Sequence, residues 1–193
     1  MTTSWRPGLS LTAVSLIGLA LTTSALVGPA RASAPHMGHG MASPETAQLA
    51  LLRGRAFDLA FVREMIVHHQ MAVQMAETQL RWGSDARVKA AATQVVAAQN
   101  REIKMMQGWL KAWNQPGTLK GGSAAKLAAP STPAAVDRWF LTGMIPHHAG
   151  ALEMAKLVAE RSQNVEVKQL AASILRTQTA EITQYQTWLK TLK

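Results

Sequence analysis

Two histidines stand side by side in MIVHHQMAVQMA, residues 65 to 76, and two more in MIPHHAGALEMA, residues 144 to 155. Adjacent imidazoles flanked by methionine offer ring nitrogen and thioether sulfur as donors. Soft sulfur selects Cu(I), and imidazole serves both copper oxidation states. All six histidines fall in three places: His36 and His39, His68 and His69, His147 and His148. Apart from Met1, the methionines lie in these same segments or at Met105 and Met106. The candidate metal ligands are therefore His68, His69, His147 and His148 with Met65, Met75, Met144 and Met154, joined by His36, Met37, His39 and Met41 of the tract HMGHGM. That tract has the chemistry to capture an ion without a preformed cage. An amine-plus-histidine Cu(II) chelate fails there, because Pro35 lacks the amide nitrogen it needs.

The same residues also have a structural use, as hydrogen-bonded core histidines with methionine filling gaps. Glu102 and Glu181 bear on both readings, since a carboxylate accepting an imidazole N–H either satisfies a packed ring or orients a ligating one from outside the ligand set. A third reading is a di-iron or di-manganese oxidase. That chemistry draws on several carboxylates and a Glu-x-x-His pair on each of two helices. Here Glu64 precedes His68 by four residues and Glu153 follows His148, so the pattern is missing. A metal-free envelope interaction module remains as a fourth reading, and the sequence leaves a homo-oligomer open.

The elements that position these side chains come from an ungapped internal match. The shift that lays His68 on His147 also lays Asp58 on Asp137, Phe61 on Phe140, Met65 on Met144, Met75 on Met154, Gln99 on Gln178, Glu102 on Glu181 and Trp109 on Trp188. Two units, 57 to 113 and 136 to 192, are expected. In the first, Phe61, Met65, Ala72 and Met75 follow helical spacing, Gly83 marks a helix end and Asp85 caps the next helix, as Asn164 does in the second unit. Val88, Ala92, Val95, Gln99, Glu102, Met106, Trp109 and Trp113 alternate steps of four and three, a bundle seam. Residues 115 to 133 read as a Gly, Pro and Ser linker, and two hairpins so joined predict an all-α, ferritin-like antiparallel four-helix bundle over 44 to 193. His68 shares the Met65 and Met75 stripe while His69 lies one turn beyond Met65, so each pair is expected to straddle the core edge.

Other positions receive plainer expectations. Trp109 and Trp188 fill bundle ends, Asp58 and Asp137 fit first-turn or surface carboxylates as well as ligands, and Pro146 should kink or restart its helix, freeing a carbonyl near Thr142. Ser43 and Pro44 carry the start signal of a first helix.

MTTSWRPG, an apolar run from Leu9 to Val27 and the small-residue stretch GPARASA have the layout of a secretory signal over 1 to 32, with an uncleaved membrane anchor as the alternative. Residues 33 to 43 follow as a flexible tail. Cysteine is absent, which excludes disulfides, thiolate zinc sites and a lipidated cysteine. The formal charge of +9 comes from scattered Lys and Arg without interleaved aromatics, so nucleic acid is not the expected partner. The charge suits anionic envelope surfaces. A periplasmic or secreted chain with no membrane span after signal cleavage is expected.

The segments FDLAFVREMIVHHQMAVQMA and DRWFLTGMIPHHAGALEMA, each followed by a helix ending in a Trp-Leu pair, resemble the domain of unknown function 305 family of bacterial secreted proteins. The resemblance covers roughly residues 45 to 192. It implies a ferritin-like fold. A cyanobacterial periplasmic member is associated with copper binding and copper resistance, so the resemblance also implies copper as cargo. One departure stands out: Gln70-Met71 occupies the place that Ala149-Gly150 holds in the second unit, making Met71 either an extra thioether or surface. Taken together, the residues point to an exported binding protein for a metal ion, copper as Cu(I) first, ahead of a ferritin-like di-metal oxidoreductase.

Overall fold

The computed structural model describes residues 43–117 and 130–192. The segment expected to be a signal, the expected tail with His36, Met37, His39 and Met41, and most of the expected linker lie outside the described residues. Every element described is helical: α1 (Pro44–Leu49), α2 (Gly54–Trp82), α3 (Ala86–Ala112), α4 (Pro133–Arg161) and α5 (Val165–Thr191).

Capping chemistry sets the boundaries. Ser43 accepts from the Thr46 N–H with Pro44 in the first turn, Asp85 accepts from Arg87 and Val88, and Asn164 accepts from Glu166 and Val167. These side chains satisfy donors that the first turn leaves free. The start signal at Ser43 opens only a six-residue helix, and α2 begins separately at Gly54, whose φ of 54° is open to glycine without strain. Pro146 does not restart its helix: α4 runs unbroken from Pro133 to Arg161. Losing one i→i−4 bond is tolerated because packing on both sides holds the remaining turns.

Each hairpin pairs neighbouring helices, α2 with α3 and α4 with α5, and the hairpins meet along α2 and α4. The apolar core has two halves. The first takes Phe57, Phe61 and Met65 from α2, Ile103, Met106 and Leu110 from α3, Met154 and Val158 from α4, and Val167 and Ile174 from α5. The second takes Met75 from α2, Val88 and Val95 from α3, Phe140 and Met144 from α4, and Tyr185 from α5. Each half draws on all four long helices, the first on the late part of α3 and the early part of α5 and the second on the reverse. The fold is an all-α, ferritin-like antiparallel four-helix bundle built from two helical hairpins, with α1 packed against α2 and α4.

Asp58 and Asp137 are not surface carboxylates: both are buried. Asp137 reaches from α4 to the α2–α3 turn, accepting from the backbone N–H and hydroxyl of Ser84, the N–H of Asp85 and the side chain of Gln79. Burial alone would raise its pKa, but these donors outweigh burial and hold it below the usual carboxylate value. Gly83 makes this approach possible, since a Cβ there would stand 2.6 Å from Asp137 Oδ1.

Candidate metal centre

Adjacent helical positions point about 100° apart, so neighbouring histidines cannot share one neighbour. His68 of α2 meets His147 of α4 at the seam between hairpins, ring centroids 3.7 Å apart. His69 turns to its own hairpin partner, placing Nε2 2.6 Å from Glu102 Oε2 on α3. His148 does the same toward α5, with Nε2 2.7 Å from Glu181 Oε2. Centroid spacings of 6.5, 3.7 and 6.2 Å link His69, His68, His147 and His148 in one row across the bundle.

This row separates the two apolar halves and lies deeper than a core edge. His69 and His148 are fully buried, His147 is 5% exposed, and only His68 keeps partial exposure. Beside them Gln99 and Gln178 are buried, while Glu102 and Glu181 keep about a fifth to a quarter of their side chains in solvent, 20% and 26%. The layer is short of hydrogen-bond partners. Nδ1 of His68 and His69, both ring nitrogens of His147 and Oε1 of Gln99 and Gln178 are buried without one. His148 is in the same condition: its Nε2 is at ion-pair distance from Glu181, yet off the angle of a hydrogen bond. Each unmet buried polar atom costs about 1–3 kcal/mol.

Burial first, and then the charges its neighbours would carry, lowers the pKa of His147 to about 3. The same causes, with His147 itself the foremost neighbour, place His68 well below an ordinary imidazole. At neutral pH these rings are uncharged, the form in which nitrogen offers a lone pair to a metal.

The four candidate thioethers are buried and flank the row on both sides. Met65 and Met154 belong to the first core half, Met75 and Met144 to the second. Among the described residues, no three His, Asp or Glu side chains form a cage for an ion on their own. What the fold brings together is a nitrogen row with thioether-bearing cores above and below and a glutamate at each end.

Tyr185 was not among the candidates, although it lies one turn after Glu181 on the same helix face. Its ring stacks near His148, centroids 6.0 Å apart, and its hydroxyl is buried without a partner. Burial, then the Glu181 carboxylate, raises its pKa. Trp109 packs against the first core half and Trp188 against the second, and their cationic neighbours are arginines: Arg55 over Trp113, which stacks on Trp109, and Arg87 over Trp188.

A helical bundle crossed by a buried imidazole–carboxylate layer is the class that fold and site define. The chain belongs to the DUF305 family, a domain of unknown function whose family model matches residues 22–110, 58–136 and 137–193. It is similar to CopM in the Cu(I)-bound form, with a TM-score of 0.62 and 32% identity over 69% of this chain and 96% of that one. CopM has also been solved in Cu(II)-bound and Ag-bound forms. A secreted-type DUF305 protein from Streptomyces coelicolor matches with a TM-score of 0.58 and 27% identity, covering 66% of this chain and 88% of that one. Protein L153 of Acanthamoeba polyphaga mimivirus is 44% identical over 46 residues, 24% of this chain, and the match spans only 30% of that viral protein's length. Among the described residues, no helix is long and apolar enough to cross a membrane.

Proposed function

We propose that this chain is an exported copper-binding protein that buffers or carries the ion as Cu(I) outside the cytoplasm. The observation that carries the reading is the row of buried imidazoles, most of whose ring nitrogens lack a partner, between two cores that both contain thioethers. Such a layer costs folding energy unless something binds there. Nitrogen with thioether sulfur and no thiolate suits copper, and CopM, a structural neighbour at 32% identity, has been solved in Cu(I)-bound, Cu(II)-bound and Ag-bound forms.

In this reading His68, His69, His147 and His148 supply nitrogen, and Met65, Met75, Met144 and Met154 supply sulfur from either side. Glu102 holds His69 by its Nε2, and Glu181 stands at ion-pair distance from His148 Nε2, which leaves Nδ1 of each ring for the ion. The tract of His36, Met37, His39 and Met41 acts as a separate capture arm. An anaerobic Cu(I) titration against a chromogenic chelator tests the reading. The chain is expected to lose its interior ions when His68, His69, His147 and His148 are all replaced by alanine, and a tail deletion apportions the rest. Equal stoichiometry in the wild type and the quadruple variant would overturn it.

A further inference from the structure

The two hairpins are matched in their ligands but not in what covers them. Three residues after the first histidine of each pair, α2 carries Met71 and α4 carries Gly150. Gly150 is an interior helix position, away from the one glycine with positive φ, so the backbone does not call for glycine there. Relative to alanine it weakens the helix. Space explains it better. A Cβ at Gly150 would have one neighbour within 4 Å, His68 Nε2 at 3.4 Å, whereas a Cβ at Gly143 one face-repeat earlier would meet the Met75 methyl at 2.8 Å. One α4 glycine is therefore plugged by a methionine, and the other opens onto an imidazole nitrogen.

Exposure follows the same asymmetry. His68 is the most exposed ring of the row, and its Nε2 is not among the nitrogens buried without a partner. Both ring nitrogens of His147, across the seam, are. Met71 is 42% exposed and three residues from His68 on one helix, which puts a solvent-reached thioether beside the opening.

We infer that soft monovalent ions enter and leave the interior through the gap over Gly150, meeting the Met71 thioether and then His68 Nε2, before reaching the His147 and His148 end of the row. The inference rests on the copper-binding reading and adds an entrance and an order. Ring spacings along the row are short enough for an ion to pass between neighbouring donors by exchange of one ligand at a time. A Cβ at position 150 would stand in that path, 3.4 Å from His68 Nε2.

Stopped-flow loading with Ag(I) alone, which has no accessible redox change, tests it on the tail-deleted and the full chain. Gly150→Leu is expected to slow loading and chelator-driven release about tenfold or more with unchanged final stoichiometry, Gly150→Ala to slow them less, and Met71→Leu to slow loading of Ag(I) by removing the sulfur. Thermal melts accompany each variant, and the alanine variant serves if the leucine variant fails to fold. Wild-type loading rates in folded Gly150→Leu overturn the entrance. So does folded Gly150→Leu that binds fewer ions at equilibrium, which would make Gly150 part of the site. If the wild type itself takes up no Ag(I), the metal-binding reading falls and the entrance falls with it, a result distinct from unchanged rates.

Discussion

An imidazole kept neutral by burial couples this protein's stability to pH. In the unfolded chain His147 takes a proton near 6.5, whereas in the fold it waits until about 3. Between those values the unfolded state binds more protons, so stability is full above about 6.5 and is lost as pH falls through the window. The limiting slope is about 1.4 kcal/mol per pH unit for one such group. Urea melts of the metal-free protein should show the midpoint falling from pH 7 to pH ~4, and His147→Leu should flatten that dependence. An unchanged slope in the variant would mean that other groups carry the pH response. Because His68 and His147 are already unprotonated at neutral pH, copper should be retained to a lower pH than at an ordinary histidine site, checked by metal release on acid titration. Asp85 works in the same direction nearer the surface: its bond to Arg87 lowers its pKa to about 2, in a partly exposed setting where solvent screens the gain.

Turns, more than helices, distinguish the two hairpins. At the α2–α3 turn, Asp137 gathers backbone and side-chain donors from Ser84, Asp85 and Gln79 and so ties the second hairpin to the first. At the α4–α5 turn the Ser162 hydroxyl takes the Asn164 N–H instead, and the matching carboxylate, Asp58, has a buried oxygen without a partner. Asp137→Ala should therefore cost about 2–4 kcal/mol, since it strands several buried donors. Asp58→Ala should cost less than half as much, by chemical denaturation. Equal losses would show that burial of the carboxylate, not its bonds, sets the cost. Gly83→Ala belongs with Asp137→Ala, because its methyl would collide with the Gln79 amide and crowd the Asp137 carboxylate that the amide bonds.

At the scale of the whole molecule, the nitrogen row crosses the one seam along which the hairpins meet, from α3 through α2 and α4 to α5. An ion bound within that row clamps two halves otherwise joined by side-chain packing, the Asp137 hydrogen bonds and the linker. Ligand at one hundred times its Kd adds about 2.7 kcal/mol to the folded state. Cu(I) or Ag(I) should raise the melting temperature and slow amide exchange around the row in all four long helices together. The quadruple histidine variant should show neither effect. Protection confined to one hairpin in the wild type would place the ion inside that hairpin and not across the seam.

How much of this was legible follows from the range of the forces involved. Helix seams, the caps at Asp85 and Asn164, the stop at Gly83 and the burial of Gln99 and Gln178 are set by neighbours within a turn or two, so periodicity and cap chemistry read them directly. The paired histidines and their candidate glutamates were visible for the same reason. Residues far apart in the chain were not. Adjacent histidines must diverge on a helix, but that His68 faces His147 while His69 and His148 face glutamates depends on which helices pack together. Tertiary packing also kept α4 whole through Pro146, drew Asp137 into a distant turn and left Gly150 open beside an imidazole. Local hydrogen bonding and side-chain spacing specify what each helix is; only the close approach of separate helices decides which donors meet and which stay within reach of water.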